Sequence, residues 1–496
     1  MTFFEMLERN STRFPEKTAL IYEESKISYK TLYEKSMALA NFLTHSGLKK
    51  GEKVGFLMQK KTPELIISFV GTTAAGGIFF SVDTNQTLDH IQRLFDLTRP
   101  QVLIVSDSLQ PLLSKLAAPC STDRIIVIGQ KAKQRNQSWD DIILDNNHRE
   151  KPDVAIQGHD TAYFNITSGT TGVPKCAITT HDNIYWNTLA SVESLGLTQE
   201  DVHLCMFPVY GHPHELIARP LYIGGTIVLI DSTEPKSIAK AVQDHNVTCL
   251  MALGSIYERL IRLHDSAAFS LPSLRLAESG GMHVNPILVQ KFQDRFKIPI
   301  TTVWGSTETT GIALATPPGV YRQSSMGKPC PYYEVKIVDE RGTELPPDEI
   351  GEMAVRGGAV VPGYFEDIEQ TRKSFNDGWF LTGDMVRKDH ENYYYFASRQ
   401  TGMIKVGGLK VFPTEIEELL STHPKIAEAA VVKRKDRLHG EVHKAVIVPK
   451  EGAEIDGKEI RSYCEQMLSK YKVPGIIEFR TGLPKSPGGK IIIREL

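Results

Sequence analysis

The chain has 496 residues, 41% hydrophobic and 23% charged, with 38 Gly, 27 Pro and a formal net charge of −2. At roughly 100–200 residues per domain, that length implies two to four structural units, and the composition excludes collagen-like, disulfide-scaffold and wholly disordered classes. A charge so near zero sets up no global field for nucleic acid or an anionic membrane. In chain order, the N-terminus carries Glu5, Glu8 and Arg9 where a signal peptide needs an unbroken apolar stretch. Residues 28–46 set Leu32, Leu39, Ala40 and Leu43 at helical spacing and stop at Gly47, which predicts a helix. Short apolar runs at 53–58, 101–105 and 124–128 read as strands, with helical stretches such as 88–97 between them. That alternation is the mark of strand–helix–strand units and a largely parallel sheet. Residues 65–82 contain no charge, but Ser68, Gly71, Thr72, Thr73, Gly76, Gly77 and Ser81 weaken both membrane insertion and helical continuity. The segment is expected to form a buried helix, a Gly76-Gly77 turn and a core strand, without stable insertion in a membrane. Residues 131–137 read as an exposed loop, and 160–166, 226–230 and 248–252 as further strands.

Near residue 400 the texture changes, from Gly-punctuated turns to a short segment with Gly402 and Gly407-Gly408, then an amphipathic helix over 415–420. Residues 400–496 hold 17 Lys and Arg against 13 Asp and Glu, a net of +4, and the remainder 40 against 46, a net of −6. The imbalance suits an anionic ligand held between a basic and an acidic part, and is also within ordinary compositional scatter. The six cysteines, Cys120, Cys176, Cys205, Cys249, Cys330 and Cys464, form no C-x-x-C pair. Scattered thiols favour a reducing compartment, so a cytoplasmic location is expected.

The chemistry-bearing segment follows the strand at 160–166: Thr167-Ser168-Gly169-Thr170-Thr171-Gly172-Val173-Pro174-Lys175. Its small residues let backbone N–H groups converge, hydroxyls stand beside them, and Lys175 closes the loop, together a cradle for polyphosphate. A Walker A loop needs Gly before its Lys and Ser or Thr after it, where this chain has Pro174 and Cys176. No two glycines are two positions apart, so a G-x-G-x-x-G dinucleotide fingerprint is excluded. On its residues alone, the loop could equally be a Ser/Thr-rich surface turn.

This loop resembles the signature of the adenylate-forming superfamily of acyl-CoA synthetases, peptide-synthetase adenylation domains and beetle luciferases. Further matches follow in the family's order: Ser279-Gly280-Gly281-Met282, Trp304-Gly305-Ser306-Thr307-Glu308, Gly363-Tyr364, Thr382-Gly383-Asp384, Arg399, Lys405-Val406-Gly407-Gly408, Pro413-Thr414-Glu415-Ile416-Glu417 and Leu483-Pro484-Lys485-Ser486-Pro487-Gly488-Gly489-Lys490. They span essentially the whole chain. The resemblance implies an α/β protein, its large multi-subdomain N-terminal domain (1–399) built on mainly parallel sheets flanked by helices. A small mobile α+β C-terminal domain (400–496) follows.

It also implies roles. The 167–175 loop holds the β- and γ-phosphates of ATP, Thr307 contacts the α-phosphate, and Glu308 ligates Mg²⁺. Asp384 and Arg399 take the ribose hydroxyls, and adenine lies between the Gly280-Gly281-Met282 backbone and Trp304, beside Gly305 and Ser306. Trp304 stands where most relatives carry Tyr, keeping the stacking surface. Lys490 is the catalytic cation, bridging the acyl carboxylate and the phosphate under attack. Thr401 falls at the family's hinge, where Asp or Lys is usual. Lys405, Gly407 and Gly408 line the path of a pantetheine arm.

The acyl pocket departs from the family. Phe207-Pro208-Val209-Tyr210-Gly211-His212-Pro213-His214-Glu215 stands in place of an aromatic–His gate, with Gly211 between Tyr210 and His212. His214-Glu215 begins an H-E-x-x-H pattern, but Ala218 occupies the fifth position and no zinc site follows. Amino-acid-activating relatives place an Asp here to pair with the substrate ammonium, whereas Tyr210–Glu215 offers Glu215 but no Asp, and acetate-specific relatives carry Trp where this chain has Gly305. Tyr210, His212, Gly281 and Gly305 are therefore expected to line a pocket for an alkyl or aryl acid larger than acetate. In a second version, His212, His214 and Arg219 meet a second carboxylate or ring substituent, unless Glu215 and Arg219 simply pair at i, i+4. The implied reaction is ATP-dependent ligation of a carboxylic acid to CoA, with an acyl carrier protein as the alternative thiol. An adenylate-binding module without chemistry is the third reading, opposed by the presence of Lys490, Glu308 and Asp384 together.

Overall fold

The computed structural model describes residues 1–116, 124–129, 137–145, 149–168, 174–207, 213–266, 269–280, 286–406, 409–436, 440–485 and 491–496. The helix predicted over 28–46 spans Tyr29–His45 and buries Leu32, Leu39, Ala40 and Leu43. Ser28 starts it, its hydroxyl accepting from the Thr31 N–H at 3.2 Å and so satisfying a first-turn amide. The uncharged run forms the helix Pro63–Ala74, a turn through Gly76-Gly77 and the fully buried strand Ile78–Ser81. Pro63 occupies the first turn, where its missing N–H has no partner to lose. Among the described residues, no helix is long and apolar enough to cross a membrane. Residues 131–136 of the predicted loop lie outside the described residues.

By internal contacts the chain divides into two compact units. The first comprises Met1–Tyr321, Pro329–Glu334 and Arg356–Phe380. One of its sheets runs in the order Gln137–Ser138, Ile125–Ile128, Val102–Ser106, Lys53–Leu57, Ile78–Ser81, Thr161–Ser168, Pro174–Thr180. All neighbours are parallel except the last pair, an antiparallel hairpin. Its other sheet runs from Thr18–Tyr22 through Thr226–Leu229, Val202–Cys205, Cys249–Met251 and Leu276–Ser279 to Ile300–Ser306, all parallel, with antiparallel neighbours at both ends. The strands are short apolar runs because both faces are covered, by helices such as Tyr29–His45 and Pro63–Ala74 on one side of the core.

The second unit comprises Arg322–Lys328, Val335–Val355 and Leu381–Leu496. Ser325–Pro329 and Trp379–Lys388 both pair antiparallel with Tyr394–Arg399. Beyond residue 400 lies a small sheet in the order Leu409–Val411, Ile404–Val406, Gly440–Pro449, Ile426–Asp436, with Ile476–Phe479 parallel to Gly440–Pro449. The helices Pro413–Ser421 and Gly457–Met467 pack Ile416, Leu420, Ile460 and Cys464 against it. The architecture is thus α/β, with a large N-terminal part on mainly parallel sheets and a small α+β C-terminal part. The five described cysteines, at 176, 205, 249, 330 and 464, are free and buried.

Candidate active site

In open parallel sheets, ligands meet the loops that leave the carboxyl ends of the strands. Two of the predicted segments leave one such edge. Gly280 follows Leu276–Ser279 and Thr307-Glu308 follow Ile300–Ser306, strands of the same parallel sheet. The two ends of the predicted phosphate loop pair in a hairpin of the other sheet, Thr167 with Lys175 and Ser168 with Pro174. Gly169, Thr170, Thr171 and Gly172 themselves lie outside the described residues, as do Tyr210, His212, Gly281, Met282, Gly407, Gly408 and Lys490.

Lys175 leaves the hairpin toward Gln370, donating to its Oε1 at 2.8 Å, and its Nζ lies 5.8 Å from the centre of the Tyr364 ring. Tyr364 in turn donates its hydroxyl to Glu308 Oε1 at 2.6 Å. Burial, reinforced by the Glu308 carboxylate, pushes the phenol well above its ordinary value, so it remains a donor. Backbone bonds fix the arrangement: Phe365 N–H to the Cys176 carbonyl at 2.8 Å, Ile178 N–H to that of Gly363 at 3.0 Å, and Val361 N–H to that of Glu308 at 2.9 Å. Lys175 and the predicted metal ligand thereby converge on one tyrosine. Sequence reading quoted Tyr364 in a motif but gave it no role. Cys176 is explained by packing, since its side chain joins Leu57, Phe80 and Phe164 in the core.

Gly280 passes so close to the neighbouring strand that a Cβ there would lie 2.7 Å from Val303 Cγ2. The half-buried Trp304 is the next residue on that strand. Gly305 meets a backbone constraint too. The pairing of Ile300–Ser306 with Gly311–Ala315 shifts register between Trp304 and Gly305, and a Cβ on Gly305 would run into the Gly311 carbonyl. The turn that follows holds itself with Thr309, whose hydroxyl accepts from Ser306 N–H at 2.8 Å and donates to the Gly311 carbonyl at 2.7 Å. Thr307 is buried and Glu308 half-buried.

The charged residues after the gate segment do not face an acid. Arg219 is wholly buried and forms ion pairs with Glu278 Oε2 at 2.9 Å and Glu215 Oε1 at 3.2 Å. Glu215 Oε1 also accepts from the Ile312 N–H at 2.9 Å. Burial raises the Glu278 carboxyl above its ordinary value, with Arg219 pulling the other way. His214 is fully buried between the Tyr163 hydroxyl, 2.5 Å from Nδ1, and the Thr310 carbonyl at Nε2. The expectation that His214 and Arg219 meet a second carboxylate is therefore corrected, because both His214 ring nitrogens and both terminal nitrogens of the buried Arg219 bond the protein's own groups. The i, i+4 pairing of Glu215 and Arg219 is the alternative that forms, extended by Glu278, which sequence reading missed.

In the second unit, Asp384 and Arg399 are cross-strand partners, with Arg399 Nε 2.9 Å from Asp384 Oδ1. Asp384 is buried while the Arg399 side chain is 62% exposed, so the pair presents its cation outward. Arg399 also donates to the Thr382 carbonyl at 3.2 Å. Thr401 lies in the single helical turn Gln400–Gly402, and its carbonyl accepts from Lys433 Nζ at 2.9 Å. Lys405 is exposed on the strand Ile404–Val406 and donates its backbone N–H to Glu441 at 2.8 Å.

These features define an α/β protein with polar side chains gathered at its strand ends, and comparison specifies which kind. The AMP-binding enzyme family model matches residues 7–365 and the AMP-binding enzyme C-terminal domain matches 415–490. The chain belongs to this adenylate-forming family. It is 31% identical to the 4-hydroxybutyrate–CoA ligase 1 of Metallosphaera sedula, covering 96% of this chain and 86% of that protein. It is 31% identical to the 2-succinylbenzoate–CoA ligase of Bacillus cereus, over 97% and 95%. Among solved structures, ATP-bound MatB from Rhodopseudomonas palustris superposes with a TM-score of 0.90 at 26% identity, covering 100% and 98% of the two chains. The anthranilate CoA ligase AuaEII in complex with anthranoyl-AMP gives 0.89 at 28%, over 99% and 95%.

Proposed function

We propose that this chain, an AMP-forming carboxylic acid:CoA ligase, activates an alkyl or aryl acid larger than acetate in the cytoplasm. Residues 1–399 take ATP and the acid, and residues 400–496 carry Lys490 and the path of the thiol. A carboxylate oxygen of the acid attacks the α-phosphorus of ATP, pyrophosphate leaves, and the thiol of CoA then displaces AMP from the acyl carbon. The observation that carries this reading is the convergence of Lys175 and Glu308 on Tyr364 beside the 167–175 hairpin.

In this reading Lys175 and the loop hold the outer phosphates, Thr307 the α-phosphate, and Asp384 with Arg399 the ribose. Glu308 would hold Mg²⁺, which supplies charge neutralisation on the phosphates. The donor set fits, since Glu308 is a hard oxygen ligand already oriented by Tyr364. Such a cation is held largely by substrate oxygens and water. Lys490 places positive charge where two anions approach and where charge builds on the leaving pyrophosphate.

Pyrophosphate release across a panel of carboxylic acids, with and without CoA, tests the reading. Release with an alkyl or aryl acid and conversion to its CoA thioester are expected. Lys490→Ala should lose adenylation yet still transfer acyl from supplied acyl-adenylate to CoA. Release from no acid, or unchanged ATP consumption in Lys490→Ala, would sink it. Transfer to a carrier protein but never to CoA would replace the acceptor.

A further inference from the structure

The turn bearing Thr307 and Glu308 is bonded by a side chain from far along the chain, His214. Thr310 closes that turn with φ +59, in the left-handed region that L residues rarely adopt. The Thr309 hydroxyl and the Thr310 N–H, which bonds the Thr307 carbonyl at 3.1 Å, hold the turn from within but leave the Thr310 carbonyl to another partner. That carbonyl is held by Nε2 of the fully buried His214. A ring nitrogen that bonds a carbonyl must carry the proton, which leaves Nδ1 of the neutral ring as an acceptor. Nδ1 receives the Tyr163 hydroxyl at 2.5 Å, and Asn165 Nδ2 donates to the Tyr163 oxygen at 3.3 Å. The four groups form a buried chain in which every bond points the same way, from Asn165 through Tyr163 and His214 to Thr310. It begins on Thr161–Ser168, the strand that leads into the phosphate loop, and ends in the turn of Glu308.

We propose that His214 is a positioning residue for the adenylation half-reaction. Locked as the Nε2-protonated tautomer by Tyr163, it ties the Thr307–Glu308 turn to the phosphate-loop strand, so that both hold the triphosphate in one register. This rests on the roles given above to Thr307, Glu308 and the 167–175 loop. A ring carrying the opposite tautomer would present two lone pairs to each other at Thr310 and release that end of the turn. Misplacement of reacting groups by about 1 Å costs about 100-fold in rate, and the second half-reaction, which needs no triphosphate, should not feel it.

The test compares full-length wild type with His214→Phe, His214→Gln and Tyr163→Phe. Phe removes both ring nitrogens, Gln keeps an N–H near the position of Nε2, and Tyr163→Phe leaves the ring but removes its lock. Acid-dependent ATP–pyrophosphate exchange should fall about 100-fold in kcat for His214→Phe, with the KM for the acid little changed. It should recover to within about tenfold of wild type in His214→Gln and lie between them in Tyr163→Phe. Acyl transfer from supplied acyl-adenylate to CoA should proceed at the wild-type rate in all three. Equal loss in both half-reactions would show a merely structural role and overturn the proposal, as would wild-type exchange in Tyr163→Phe. Should His214→Phe fail to fold, the ratio of the two half-reactions in Tyr163→Phe and His214→Gln decides. Failure of the ligase reading itself is seen separately, as a wild type that exchanges pyrophosphate with no acid.

Discussion

Replacing Arg219 with Met removes the one cation from a buried group of three charges. Arg219, Glu278 and Glu215 are 0%, 1% and 6% exposed, and the guanidinium lies 2.9 Å and 3.2 Å from the two carboxylates. Met keeps much of the side-chain volume, so the loss is electrostatic rather than a cavity. Breaking a buried pair by deleting one partner costs about 3–5 kcal/mol, because the abandoned charge stays desolvated. Here two carboxylates lose the same partner, which places the expected cost near the top of that range, about 4–5 kcal/mol at pH 8. The pH dependence has a definite sign. Burial holds the Glu278 carboxyl above its ordinary value of 4.5, so the folded chain binds that proton more tightly than the unfolded one. The stability linked to it is complete below 4.5 and is lost as pH rises through the raised value. Without Arg219 the value rises further, so the deficit should be smaller at pH 5 than at pH 8. All four Trp residues, at 139, 186, 304 and 379, belong to the first compact unit. Urea unfolding followed by tryptophan fluorescence therefore reports on the unit that contains Arg219. Adding Glu278→Gln should return about half of the loss. A wild-type midpoint in Arg219→Met, or a deficit of equal size at pH 5 and pH 8, would refute the reasoning.

Three further outcomes are expected. Gly305→Ala forces a Cβ against the Gly311 carbonyl, so it should cost about 1–3 kcal/mol in the same urea assay and abolish pyrophosphate release; normal stability would show that strand pairing does not require the glycine. Tyr364→Phe keeps the ring beside Lys175 but strips the hydroxyl from Glu308, so the Mg²⁺ concentration for half-maximal adenylation should rise about tenfold, with stability changed by about 1 kcal/mol. An unaltered Mg²⁺ titration would count against Glu308 as the ligand. Burial pushes Glu417 up to about 7, although its Oε1 accepts the Val431 N–H at 2.7 Å. Its contribution is full below 4.5 and lost as pH rises through about 7. Glu417→Gln keeps the acceptor without the charge and should be more stable than wild type at pH 8, by about 1–3 kcal/mol, and no more stable than wild type at pH 4; calorimetry showing the same gap at both pH values would refute this.

The secondary structure was legible because its signals are local. Apolar spacing and a terminating glycine gave 28–46 for a helix that spans Tyr29–His45, and the run without charge gave a helix, turn and strand in the right places. The family's motifs also named residues for a nucleotide site. What they did not carry was partnership across the sheet. The bond between Glu215 and Arg219 could be suspected at i, i+4, but Glu278 reaches Arg219 from 59 positions away, by strand order. His214 looked like a pocket residue because a histidine beside a gate motif resembles a ligand. Its partners stand 51 and 96 positions away, and only the fold brings them to it. Gly305 was read as space for an acid, whereas the neighbouring backbone also demands it. Such constraints arise where distant strands pass one another, and no window of sequence contains them.

The buried cysteines have a chemical consequence for an enzyme that makes a mixed anhydride. An acyl-adenylate acylates a thiolate that reaches it, and Cys176 directly follows Lys175 at the phosphate hairpin. Burial removes its side chain from reach and pushes its thiol up to about 12, as it does for Cys205 and Cys330. At neutral pH only about one such thiol in 10⁵ is ionised. The chain therefore offers its own intermediate no competing sulfur among these residues. Protection from self-acylation comes from the same close packing that builds the sheets, and the incoming thiol is left without a rival.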